Sequence, residues 1–356
     1  MTSCYKVYDP QVNTTEKVLA VDGLITNQVA DYHVALTNAR LFNSNGKSTP
    51  VSSASVYVTD NIGNSYIFNE TGNGDYKSDS LQFTGIPGRS YKLHIVTLDG
   101  KLYESDPQRL FPESSPDSVY SEYDNQNILD ESTGLKINTH GADILIDIRN
   151  KADTLSRFRF TSNLIRQYFY IIYPYRKPEI LFYCWQTVNA NSNINLTDEE
   201  YSLNSASIRK HQICFLDDNL YCHALYYSYT ENPYTVVLTA SYQTYEIHHR
   251  ILYLNQYTLN NETYLYYKSL NEQMLSEGKL FDPVAAQLTG NIKCISDPEK
   301  KAIGFFEASS VNNSSYIVDF RNLPNSQPTL IKTPYILPPE SNGCRINNAP
   351  SFWIFI

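Results

Sequence analysis

The chain has no long apolar run. Nothing in its 356 residues approaches the roughly 18 apolar positions of a membrane-crossing helix. Basic residues are also in short supply: 28 Lys and Arg stand against 37 Asp and Glu, for a net charge of -9. Nucleic-acid binding relies on Lys and Arg to neutralise phosphates, so no nucleic-acid partner is expected. The glycine-rich nucleotide loops, the HExxH zinc motif and the GxSxG nucleophile elbow are missing too, and with them the simplest routes to a cofactor or a covalent mechanism. No cofactor is expected. There are 2 Met but 30 Tyr. Tyr favours strands and suits half-buried surfaces with one wet end. Tyr-rich faces also bind sugars and peptides, which keeps an adhesin or glycan-binding module as an alternative.

The patterning along the chain is that of strands. Val56 and Val58 share one face, a turn at 60–64 contains Gly63, and Tyr66 and Phe68 return on one face of a partner strand. A second hairpin turns at Asp99-Gly100. Short strands with turns at such spacing predict a β-sandwich. Residues 1–16 are polar, 17–110 form the first sandwich, 111–136 read as a Ser-, Pro- and Asn-rich linker, and 137–356 form a second β-rich domain. In that second region Ile144, Ile146 and Ile148 share a face. The aromatic stretch 168–187 contains Pro174 and Pro178, which predicts two strands joined by a loop, since Pro inside a helix costs ~3 kcal/mol. A helix is predicted near 261–277, where Tyr264, Tyr267, Leu270, Met274 and Leu275 recur at near-helical spacing and Gly278 can end it. The fold class is therefore all-β: a tandem β-sandwich, with an Ig-like or prealbumin-like first domain, a larger β-rich second domain and one helix.

Residues with chemistry are scattered. His248 and His249 point to opposite faces of any strand, so they cannot readily share a metal. Asp217-Asp218 and Glu199-Glu200 sit at turn positions, where such pairs are usually solvated. No metal or catalytic residue is assigned. The six cysteines say more. Folding "ICFLDDNLYCH" about Asp218 sets Cys214 opposite Cys222. Directly opposed strand cysteines lie ~4.5 Å apart at Cα, the short end of disulfide geometry, so a bridge or two reduced buried thiols both remain open. With Cys4 set aside five cysteines remain, so at least one has no internal partner. The loop around Tyr173, Pro174, Tyr175 and Arg176 lies within the densest aromatic run, Tyr168–Trp185, and is a candidate partner contact, because aromatic anchors carry much of an interface's energy. The competing reading is that these tyrosines cover the sheet.

From Phe281 the chain reads Phe281-Asp282-Pro283, then Gly290-Asn291-Ile292, Cys294, Asp297-Pro298, Gly304-Phe305-Phe306 and Ala308-Ser309. Tyr8-Asp9-Pro10, "VLAVDGLITN", Pro50-Val51, Cys184-Trp185 and the terminal "PSFW" accompany them. Together these resemble the DUF4249 family, across nearly the whole chain. The resemblance implies a lipoprotein of Bacteroidota, commonly encoded beside TonB-dependent outer-membrane transporters. It implies that Cys4, preceded by the small residues "TS", is the lipid attachment point, and that 5–16 tether the first domain to the membrane. Family members often carry a C-x-x-C near the C-terminus, where this chain has Cys344 alone. A metal or paired-thiol role there is thus in doubt, and Cys294–Cys344 becomes the simpler disulfide. The expected function is that of a non-enzymatic, lipid-anchored outer-membrane protein at the cell surface, with the periplasmic face as the alternative. Its expected partner is an outer-membrane β-barrel, first a TonB-dependent transporter and second an assembly or secretion barrel.

Overall fold

A computed structural model describes residues 18–39, 48–129, 134–149, 157–172, 180–191, 193–197, 207–217, 221–232, 235–246, 250–276, 288, 290–320, 323 and 345–346. The chain divides into two compact units, Met1–Glu113 with Thr258–Val311, and Ser114–Tyr257 with Asn312–Ile356. No helix among the described residues is long and apolar enough to cross a membrane, which says nothing of a β-barrel.

The first unit opens with β1 (Val18–Ile25), β2 (His33–Ala39), β3 (Thr49–Pro50), β4 (Ser55–Asp60), β5 (Ser65–Gly72), β6 (Asp75–Lys77), β7 (Ser90–Val96), β8 (Leu102–Ser105) and β9 (Gln108–Arg109). Local hairpins dominate, as the turn signals predict. Val56 faces Phe68 and Val58 faces Tyr66 across β4–β5, and Gly63 supplies the positive φ of 94° that their turn needs. Alternate residues point inward, and Val34, Leu36, Val58, Tyr76, Tyr91, Leu93 and Ile95 are all fully buried. Phe83 is a hub of this core, with Tyr32, Phe68 and Tyr91 meeting it edge-on and Tyr66 stacked on it.

The second unit holds longer strands. β10 (Ser118–Leu129), β11 (Lys136–Arg149) and β15 (Ser207–Asp217) form one antiparallel sheet. A second combines β12 (Arg157–Ile172), β13 (Ile180–Asn189), β14 (Asn195–Leu196), β18 (Arg250–Leu259), β21 (Ser310–Val318) and β22 (Arg345–Ile346). β16 (Tyr221–Asn232) and β17 (Thr235–Glu246) pair as a long ribbon. Ile144, Ile146 and Ile148 point into the core together, with Phe158, Phe160 and Leu252. β12 and β13 are the two strands expected on either side of the Pro-containing loop, with Ile172 opposite Ile180. β10 runs through what the sequence reads as a linker. Its Ser-, Asp- and Asn-rich composition hides an edge strand with one polar face, paired residue for residue with β11 from Ser118↔Asp147 to Leu129↔Lys136.

The helix α1 (Asn261–Ser276) lies where predicted. Asn260 caps it, its Oδ1 accepting from the Thr263 amide at 2.8 Å. Its Nδ2 donates to Gln108 Oε1 at 2.6 Å, and Gln108 Nε2 donates to Glu262 at 2.9 Å, so the first turn is fastened to β9. Tyr264 is buried, but Met274 and Leu275 are exposed, so the predicted apolar stripe is covered only at its start.

The sequence reading closed the first domain at residue 110. The structure adds β19 (Ile292–Cys294) and β20 (Ala302–Ala308) to the same sheet, whose order is β19-β8-β7-β4-β5-β6-β2-β1-β20, with β3 on β2 and β9 on β7. β20 runs parallel to β1, and β19 runs antiparallel to β8. Both edges are thus covered by one short segment, which brings the sheet close to a barrel. A pairing between residues this far apart leaves no turn signal for sequence reading to find.

Candidate functional site

The motif residues converge on that closing segment. Gly304 lies opposite Val21, and Gly290 lies over Gly304. A Cβ on Gly304 would stand 1.9 Å from the Val21 carbonyl oxygen, and one on Gly290 would stand 1.7 Å from that of Gly304. Three backbones therefore touch where only glycine fits, and Gly304 also has a φ of +95°. Asn291 works as a short stretch of strand. Its Nδ2 donates to the Phe306 carbonyl at 2.8 Å, and its Oδ1 accepts from the Phe306 amide at 2.9 Å. Ile292, Cys294, Phe305, Phe306 and Ala308 are buried. Beyond β20 the Ser309 amide donates to the Ile25 carbonyl at 3.1 Å, and the Val311 amide to Asn27 at 2.7 Å. The segment closes the first unit with main-chain contacts along its whole length.

A cleft of about 560 Å³ opens beside it, lined by Ile292, Cys294, Ile295 and Pro298 with Lys300 and Lys301. A neighbouring cleft of about 480 Å³ shares Lys300 and adds Leu19, Ser52, Leu98, Lys101 and Tyr103. The Cys294 thiol lies 3.7 Å from Ser296 Oγ. Burial, followed by the neighbouring Cys294, pushes the Tyr103 hydroxyl up to about 12, so it stays protonated.

The expected site residues fare as follows. Cys4, Tyr173, Tyr175, Arg176 and Cys344 lie outside the described residues, as do Glu199, Glu200, Asp218, His248, His249, Phe281, Asp282 and Pro283. Cys214 and Cys294 are free, buried thiols in the structure. The ladders place Ile144 opposite Cys214 and Tyr245 opposite Cys222, because β15 pairs with β11 and β16 with β17. Burial pushes the Cys214 thiol up to about 12, which makes it unreactive. Asp217 lies 3.6 Å from the Arg250 guanidinium, whose own side chain is almost wholly buried. Among the described residues no three His, Cys, Asp or Glu side chains are placed to share a metal ion.

Two carboxylate arrangements were not foreseen. The Asp60 side chain is fully buried. It accepts from the Ile62 and Asn64 amides, from Asn64 Nδ2 and from Arg89 at 2.8–3.1 Å, and from the Tyr66 hydroxyl at 3.2 Å. Burial would raise it, but these donors outweigh burial and hold the carboxyl at about 2. Asp143 on β11 shares the Gln126 amide with Asp124, at 2.9 and 3.2 Å, and accepts from Gln212 at 2.5 Å. Burial, then the Asp124 carboxylate, pushes Asp143 up to about 6. Alternation would have put Glu122, Asp124 and Gln126 on one face of β10, but only the register with β11 brings Asp143 among them.

The fold and these contacts define an all-β protein with one helix, whose first unit is closed by a returning Gly-Asn-Ile and Gly-Phe-Phe segment. The chain belongs to the family described as domain of unknown function DUF4249, whose profile matches residues 5–315. No curated protein matches it, and no solved structure does.

Proposed function

We propose that this protein is a lipid-anchored, non-enzymatic accessory subunit of an outer-membrane β-barrel complex, with a TonB-dependent transporter as the first candidate partner. The observation that carries this reading is the family match over residues 5–315, joined to what its motif residues do. Gly290, Asn291, Gly304 and Phe306 make backbone contacts and core. Signature residues of an enzyme would be expected to bring a nucleophile, a base or a metal set together, and these serve the scaffold instead. Cys4 is the anchor in this reading, the residues after it are the tether, and Tyr173, Tyr175 and Arg176 are candidate partner contacts.

The test is co-purification from native membranes after cross-linking. A stoichiometric β-barrel partner is the expected result, and recovery of the protein free of any barrel would overturn the reading in favour of an adhesin. Palmitate labelling of the precursor should be lost in Cys4→Ser together with membrane retention, since stable anchoring needs more than one acyl chain. Retention without label would remove the anchor from the proposal.

A further inference from the structure

β19 and β20 follow one another along the chain, yet they do not pair. β19 joins β8 and β20 joins β1, at opposite edges of the sheet. Residues 295–301 connect them across the seam. No backbone ladder fills that seam, and the cleft of about 560 Å³ lies there, its lining running from β19 through the connecting turn to the first residue of β20. Its volume is that of a small-molecule site, and such sites favour the mouths of β-barrels. The turn is fixed on both sides. The Ile295 amide donates to the Leu102 carbonyl at 2.8 Å, and the Lys300 amide to the Asp297 carbonyl at 2.9 Å.

The lining is amphipathic. Ile292 and Cys294 are buried, while Ile295 and Pro298 are exposed, so apolar surface continues from the core out to the opening. Its charge is all of one sign: Lys293, Lys300 and Lys301 line the cleft and no carboxylate does. Lys293 is already neutralised by Asp106, at 2.6 and 2.8 Å. Lys300 and Lys301 form no ion pair among the described residues. Asp297 and Glu299 are exposed on the same turn but stay off the lining. They would repel a multiply charged head, so a single negative charge suits the cleft better. An apolar body would cover Ile292, Ile295 and Pro298, and its anionic end would give the two ammonium groups the partner they lack.

We infer that this seam binds a small amphipathic anion, an apolar body ending in a carboxylate, with Lys300 and Lys301 on the carboxylate and Ile292, Ile295 and Pro298 along the body. Neither the barrel partner nor the lipid anchor proposed above enters the inference, so each can fail without the other. The test uses the full chain and decanoate, kept below its micelle concentration, with decanol and acetate as the two half-ligands. Binding is titrated by calorimetry and located by hydrogen exchange. Decanoate should bind saturably and slow exchange several-fold at 292–302, leaving 61–64 unchanged. Lys300→Gln with Lys301→Gln should weaken it about tenfold at an unaltered melting temperature, since neither lysine is buried. Ile295→Asp, at a position 48% exposed, should weaken it as well. Decanol binding as tightly as decanoate would overturn the inference by showing apolar adhesion alone. Acetate giving the same protection would overturn it by showing a bare anion site. Protection elsewhere or nowhere, or affinity that survives the double lysine variant, would overturn it too.

Discussion

Asp60 in the first unit and Asp143 in the second both lie on β-strands beside hydrogen-bond donors, yet their protons behave in opposite ways. Asp60 gathers amide, hydroxyl and guanidinium donors and stays ionised down to about 2. Asp143 meets a second carboxylate and holds its proton up to about 6. The difference follows from how each unit places its polar groups. In the first, tight turns aim main-chain amides at a side chain that begins the turn, the Asx geometry for which Asp is suited. In the second, long regular ladders stack side chains across strands, so Glu122 stands directly opposite Asp143 and like charges meet. Turns supply donors to a carboxylate, whereas an acid-rich ladder face supplies it with other acids.

The contrast breaks most sharply at Gly304. Gly304→Ala forces a Cβ into the Val21 carbonyl at a positive φ, so a loss of about 4 kcal/mol is expected. Hydrogen exchange should show β1 amides released while β11 amides keep their protection. If both units lose protection together, they fold as one cooperative body and the comparison fails. Asn291→Ala strands the buried Phe306 amide and carbonyl, an expected cost of about 3 kcal/mol in denaturant unfolding. An unchanged midpoint would mean that water replaces the side chain.

The next two variants set the units against each other by pH. Asp60→Asn should cost about 2 kcal/mol at neutral pH, through lost charge-assisted bonds. Because the folded carboxyl is depressed, the Asp60 contribution is full above pH 3.8 and disappears as pH falls towards about 2. Wild type and variant should therefore converge in acid, and a constant gap would refute the linkage. Asp143 has the opposite sign. Its folded carboxyl is raised, so the native state binds the proton more tightly and stability declines as pH rises from 3.8 to about 6. After allowance for its partial exposure to solvent, Asp143→Asn should recover about 1 kcal/mol above pH 6 and nothing below pH 3.8. Urea melts at pH 4 and pH 7 would check it.

Much of this architecture was legible from local signals. The β4–β5 hairpin, the Asp99-Gly100 turn, the inward Ile144–Ile146–Ile148 row and the helix at 261–276 each follow from spacing within about 20 residues. The motif that marks the family was legible too, but its work was not. Nothing in Gly290 or Gly304 says that each presses on a backbone fixed elsewhere in the chain, and Asn291 shows its purpose only beside Phe306. β10 was missed because an edge strand with one wet face has the composition of a loop. The Asp143 group depends on register, which a one-residue slip would undo.

The parallel pairing of β1 with β20 also sets a schedule. More than 270 residues separate Ile25 from Ala302, so a chain synthesised from its N-terminus displays the free edge of β1 until most of the rest has been made. An unpaired edge of this kind, rich in Val and Leu, is a template for wrong partners. The last-made part of the domain is thus the part that closes it: a product truncated before residue 302 lacks β20 and keeps the β1 edge open.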